Sequence, residues 1–144
     1  MTFSIDGKTA IVTGAAAGIG RGITQAFMKE GAKVLAVDIN EQQGLELEAK
    51  SNGSVRFFNC DISQSKSADA IVQAAIEFFG GIDVLVNNAH ASRQVSLLET
   101  TQQHIDLSFT TSFYPTLWLM QAAHPELKRN QGSVINFGSG AGIS

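Results

Sequence analysis

Five short apolar runs rich in β-branched residues, at residues 9–12, 33–37, 54–58, 82–86 and 133–137, alternate with longer stretches of helical periodicity. Most of these runs are apolar on both faces, the pattern of parallel strands covered by helices on either side. Helices are expected from Gly18 to a stop at Gly31, over residues 41–50, over 63–79 with Gly80-Gly81 as the stop, and over about 99–127. The first would bury Ile19, Ile23, Ala26 and Phe27, and the second is polar apart from Leu45 and Leu47. The third carries Ile71, Ala75 and Phe78 on one stripe, and Pro115 should kink or divide the fourth. Strands alternating with helices require right-handed crossovers, which predicts a doubly wound α/β fold of about five parallel strands with helices on both faces.

The 144 residues are 44% apolar, enough for one domain with a real core, and no repeat, linker or low-complexity segment divides residues 1–144. Lys and Arg number 10 against 13 Asp and Glu, with no basic stripe, so a nucleic-acid surface is not expected. The lone Cys60 cannot form an internal disulfide, which fits a reducing, cytoplasmic location. The N-terminus lacks a basic region followed by an apolar stretch, and the longest nearly apolar run, around residues 114–120, is too short to span a bilayer.

Immediately after the first strand the chain reads Thr13-Gly14-Ala15-Ala16-Ala17-Gly18-Ile19-Gly20. In a doubly wound fold this turn faces the N-terminus of the first helix, where free N–H groups and the helix dipole attract a phosphate. Gly14 permits the tight turn, Gly18 a close approach to the backbone, and Gly20 close packing of helix on sheet. A second strand then ends in Asp38, 18 residues after Gly20, close to the ~20 at which a carboxylate meets a ribose 2′-hydroxyl. Together these features predict a Rossmann dinucleotide site. A carboxylate accepts from a ribose diol and repels a 2′-phosphate, and Ala17, Ile39 and Asn40 add no cation, so NAD is expected over NADP.

The glycine turn, Asp61-Ile62, Asn87-Asn88-Ala89 and Gly132-Ser133-Val134-Ile135-Asn136-Phe137-Gly138-Ser139 occur in one order over essentially the whole chain. In this the sequence resembles the short-chain dehydrogenase/reductase family. The resemblance implies an oxidoreductase that moves a hydride between a nicotinamide cofactor and a small alcohol or carbonyl. It implies that Gly14, Gly18, Ile19 and Gly20 form the cofactor turn, that Asp61 bonds the adenine amino group, and that Ile62 lines the adenine pocket. Asn88 and Ala89 would pass beneath the cofactor, and Ser139 matches the catalytic serine. Asp61 also reads as a loop-capping aspartate, and Asn87 and Asn88 as turn-forming amides. Homodimers or homotetramers built through the fourth and fifth helices are the family's usual assemblies.

The sequence departs from the family pattern at several points. His90 stands where glycine is usual, and it is given no catalytic role. The asparagine of the fourth helix falls on Ser112 when counted back from Gln121-Ala122-Ala123-His124-Pro125, and on Ser108 when counted from Ile105-Asp106-Leu107. The two anchors differ by four residues, about one helical turn. The family's Tyr-x-x-x-Lys pair is expected after Ser139. Tyr114 is the only tyrosine, lies before the fifth strand and has Trp118 four residues on. The fifth strand reads as an interior strand yet would be an edge in this sequence, so the 144 residues are expected to be the N-terminal portion of a longer enzyme. A non-catalytic dinucleotide-binding module is the alternative, and a methyl-donor-binding transferase would leave Asn87-Asn88-Ala89 and the Ser139 segment unexplained.

Overall fold

The computed structural model describes residues 4–140. Its elements are β1 (Thr9–Thr13), α1 (Gly18–Lys29), β2 (Lys33–Asp38), α2 (Glu41–Ala49), β3 (Val55–Asn59), α3 (Ser67–Phe79), β4 (Val84–Asn87), α4 (Gln102–Ser108), α5 (Tyr114–Arg129) and β5 (Ser133–Asn136). The strands form one sheet in the order β3-β2-β1-β4-β5, and every pairing is parallel. Connections from β1 run outward through β2 to β3 on one side and through β4 to β5 on the other. The crossover direction therefore reverses between β1 and β4, and a crevice opens there at the carboxyl ends of the strands. Among the described residues no helix is long and apolar enough to cross a membrane.

Alternate residues of each strand feed two cores, because successive side chains point to opposite faces of a sheet. Ile11, Leu35, Val37 and Leu85 pack with Ile71 and Ala75 of α3 and Leu119, Ala123 and Leu127 of α5. Ala10, Val12, Val34, Ala36 and Val86 pack on the other face with Leu47 of α2 and, partly buried, Ile23, Phe27 and Met28 of α1. All five residues of β1 are buried, as its unbroken apolar run requires of a central strand. Among the described residues β5 pairs only with β4, and all four of its residues are exposed, with Val134 and Ile135 among them.

Several expected burials shift. On α1 the fully buried residues are Gly20 and Thr24, while Ile19 is 65% exposed and Ala26 faces solvent. The helix lies on the sheet through its glycine, and the buried Thr24 hydroxyl is satisfied by donating to the Gly20 carbonyl at 2.9 Å. This rotates the apolar stripe to Ile23, Phe27 and Met28 and turns Ile19 toward the crevice mouth. On α2 only Leu47 of the two leucines is buried, because Gly44 sits against the Phe57 ring and leaves Leu45 on the outer side. The α3 stripe runs through Ile71, Val72, Ala74 and Ala75, whereas Phe78 is exposed with the Arg56 guanidinium 5.2 Å from its ring centre. Gly80 ends α3 in the left-handed region, at φ +86°.

The fourth helical region is divided where proline implied, though not by a simple kink. A 3-10 turn (Leu97–Glu99) precedes α4, and a π turn (Phe109–Phe113) joins α4 to α5. Pro115 is buried in the first turn of α5, where a missing N–H costs least. Just before it, the hydroxyls of Thr110, Thr111 and Ser112 donate back to the carbonyls of Asp106, Leu107 and Ser108. Those side chains cap carbonyls that the widened turn loosens.

Candidate functional site

The crevice is built on Thr13, the last residue of β1 and 1% exposed. Its hydroxyl oxygen accepts from the backbone N–H of both Asn88 and Ala89 at 3.0 Å, and donates to the Val86 carbonyl at 3.4 Å. The Asn88 amide donates to the Thr13 carbonyl at 3.0 Å and to the Gly14 carbonyl at 3.4 Å. One side chain from each strand thus clamps the bend after β4 against the turn after β1. Asn88 is the turn-tying amide that its type allows, and it leaves Ala89 directly above Gly14.

The three glycines of the turn do different steric work. A Cβ on Gly14, at φ +63°, would stand 2.9 Å from the Asn88 amide nitrogen and 3.0 Å from the Ala89 Cα. At Gly20 a Cβ would lie 2.1 Å from the Gly14 carbonyl oxygen, so α1 reaches the turn only because no side chain intervenes. Gly18, at φ +54°, has nothing within 4 Å, so its backbone at the start of α1 faces open space beside the exposed Ile19. That is the cradle a diphosphate would fill.

At the end of β2, Asp38 turns its carboxylate back onto this cradle. One oxygen accepts from the Ala16 N–H at 3.0 Å and the other from the Asn40 N–H at 2.9 Å. An ionised carboxylate has about four acceptor sites, so two remain for a diol. Arg21, on α1 beside this turn, is already engaged: it donates to the Ala16 carbonyl at 3.4 Å and lies 3.6 Å from Glu46. Glu46 is in turn held below the ordinary carboxylate range, first by its hydrogen bond from Lys50, then by the charges of Lys50 and Arg21.

Three cavities follow one another along the crevice. The first is lined by Gly14, Asp38, Cys60, Asp61, Ile62 and Thr111, together with Ala89 and His90. Here Asp61 caps its own loop, accepting from the Ser63 N–H at 2.9 Å, while lining the cavity beside Ile62. The second is a notch formed by Gly14, Ala17, Gly18 and Ile19 against Asn88, Ala89 and His90. The third brings Ser112 and Ser139 together with Ile19, Asn87, Thr116 and Phe137, again with Ala89 and His90. Ser108 lies instead in a separate hollow with Arg93 and His104. Of the two serines considered for the asparagine position, the structure therefore brings Ser112 into the crevice with Ser139.

The third cavity also holds an unspent acceptor. Asn87 is buried and donates its amide to the Asn136 side-chain oxygen at 2.9 Å, while its own Oδ1 has no partner among the described residues. The cradle at Gly18, the Asp38 carboxylate with acceptor capacity to spare and this orphan acceptor together fit a dinucleotide lying across the sheet. Sequence reading assigned no role to Thr13, Thr111 or His90. A threonine closing β1 and a threonine within a π turn carry no pattern of their own. The signal at His90 was its departure from glycine.

The profile of the family described as short chain dehydrogenase matches residues 8–144. The chain is 44% identical over 149 aligned positions to a 12alpha-hydroxysteroid dehydrogenase of a Clostridium species, covering 96% of this chain and 58% of that protein. It is 37% identical to the L-fucose dehydrogenase of Oryctolagus cuniculus, over 90% of this chain and 46% of that one. A solved structure, 7 alpha-hydroxysteroid dehydrogenase complexed with NADH and 7-oxo glycochenodeoxycholic acid, superposes with a TM-score of 0.91 at 28% identity, covering 98% of this chain and 56% of that one. The chain spans about half the length of the curated relatives it matches. With the matched profile running through the glycine turn, the bend after β4 and the Ser139 strand end alike, the chain belongs to the short-chain dehydrogenase/reductase family.

Proposed function

We propose that this chain is the dinucleotide-binding portion, a single domain, of an NAD-dependent oxidoreductase acting on a small alcohol or carbonyl. The observation that carries the reading is Asp38, bonded onto the glycine turn with acceptor capacity left over, while Arg21 is engaged by Glu46. When bound, the nicotinamide supplies the hydride acceptor or donor. The backbone of Gly14, Gly18, Ile19 and Gly20 holds the diphosphate, and Asp38 accepts from the adenosine ribose. Asp61 and Ile62 bound the adenine, while Asn88 and Ala89 form the floor. Ser139 donates its hydroxyl to the substrate oxygen and stabilises charge that develops there, with Ser112 beside it. Calorimetric titration tests this. NAD is expected to bind at least tenfold more tightly than NADP, and D38A should bring the two affinities together. Tighter binding of NADP by the unaltered chain would overturn the assignment.

A second reading has its own support. Tyr114 stacks on Trp118, with ring centres 5.7 Å apart, and does not line the Ser139 cavity. The 144 residues alone would then bind the cofactor as a non-catalytic module. Turnover assays with NAD and a panel of hydroxysteroid and polyol alcohols separate the two readings. Comparing this chain with a longer version shows whether a continuation supplies the acid/base pair. A homodimer or homotetramer of the longer protein would have an apolar surface to use in Phe109, Phe113 and Leu117, all exposed. Sedimentation measurements test that assembly. A cytoplasmic location fits the free Cys60.

A further inference from the structure

His90 has no part in the function proposed above, yet it runs along the whole crevice. With Ala89 it lines all three cavities, from the Asp38 end through the glycine notch to the Ser139 end. Its backbone follows Ala89, whose Cα lies 3.0 Å from where a Gly14 Cβ would stand, so the imidazole starts beside the turn itself. The side chain is exposed and has no hydrogen-bond or ion-pair partner among the described residues. In the notch, the other lining residues are Gly14, Ala17, Gly18, Ile19, Asn88 and Ala89, none of them ionisable. The titratable groups that share a wall with His90 are Asp38, Cys60 and Asp61, all in the first cavity. Asp38 and Asp61 already accept from backbone N–H groups there.

We propose that His90 is a second anion contact for the cofactor's diphosphate, facing the glycine turn across the notch and making cofactor affinity depend on pH. This rests on the dinucleotide reading above. The glycine turn offers N–H dipoles but no whole charge, and an imidazole gains its charge between about pH 5 and 8. The contact tightens binding when His90 is protonated and fades as pH rises.

The test is titration of the full chain with ADP-ribose, whose diphosphate has no ionisation near neutrality, and with adenosine, which has no phosphate. Between pH 6 and pH 8, ADP-ribose affinity should fall about fivefold, the upper end of what one exposed charge contact contributes. In H90Q the affinity should be weak and flat over that range, and H90K should keep it tight at pH 8. Adenosine binding should be flat in all three, and thermal melting confirms that the variants fold. If the unaltered chain and H90Q follow the same pH profile, the His90 contact is overturned while the dinucleotide reading stands. If the unaltered chain binds neither ADP-ribose nor NAD, both fall together.

Discussion

Two glycines of α1, two residues apart, should respond to alanine with opposite signs. Gly22 has nothing within 4 Å of an added Cβ, so Gly22→Ala contributes only the helix-propensity gain, about 0.5–1 kcal/mol of stabilisation. Gly20→Ala would gain the same propensity but drive a methyl to 2.1 Å from the Gly14 carbonyl oxygen and 2.6 Å from the Asn88 amide nitrogen. Both neighbours belong to the Thr13–Asn88 clamp, so moving them loosens the bonds from Asn88 to the Thr13 and Gly14 carbonyls. Overpacking of this kind costs about 1–3 kcal/mol, and each weakened hydrogen bond adds roughly 1 kcal/mol. After subtracting the propensity gain, Gly20→Ala should be destabilising by about 2–4.5 kcal/mol. The two variants should then differ by about 3–5 kcal/mol, or about 1.5–2.5 M in urea midpoint at a slope near 2 kcal/mol/M. Trp118 fluorescence reads the transition, and ADP-ribose should raise the midpoint of Gly22→Ala more than that of Gly20→Ala. Equal midpoints would refute the idea that α1 is seated on the turn through a missing side chain.

Two further outcomes follow from the hydrogen bonds. Thr13→Val keeps the shape but leaves the Asn88 and Ala89 N–H groups without an acceptor, which should cost about 2–4 kcal/mol in urea unfolding, whereas Thr13→Ser should cost far less. Glu46 has its pKa lowered in the fold by Lys50 and Arg21, so its contribution is present above the unfolded-state value and is lost as pH falls through the folded one. Glu46→Gln should therefore be slightly less stable than the parent at neutral pH. The two melting curves should converge on acidification, because an exposed pair contributes little even when formed.

The α/β pattern was legible because parallel strands buried on both faces leave unbroken apolar runs. All five strands lie within two residues of where those runs placed them. Helix faces were harder to read. Ile19 and Phe78 look apolar in any periodic count, yet Gly20 sets the rotation of α1, and Arg56 takes up the face of Phe78. The π turn left no mark in the sequence, because nothing in Phe109–Phe113 signals a wider turn before Pro115. At the crevice, the glycines and Asp38 announced themselves through spacing. The Thr13 clamp could not, since it depends on β4 lying next to β1, which only the sheet order reveals.

The Asp38 carboxylate holds the glycine turn by the Ala16 N–H, and the proposed function gives the same carboxylate the ribose. On the function proposed above, coenzyme choice and loop shape would therefore share one side chain. Redesign toward a phosphorylated coenzyme by a single Asp38→Arg exchange would strand that N–H and slacken the very loop meant to grip the ligand. A working switch would pair the new cation with a fresh acceptor for Ala16, supplied from a neighbouring position.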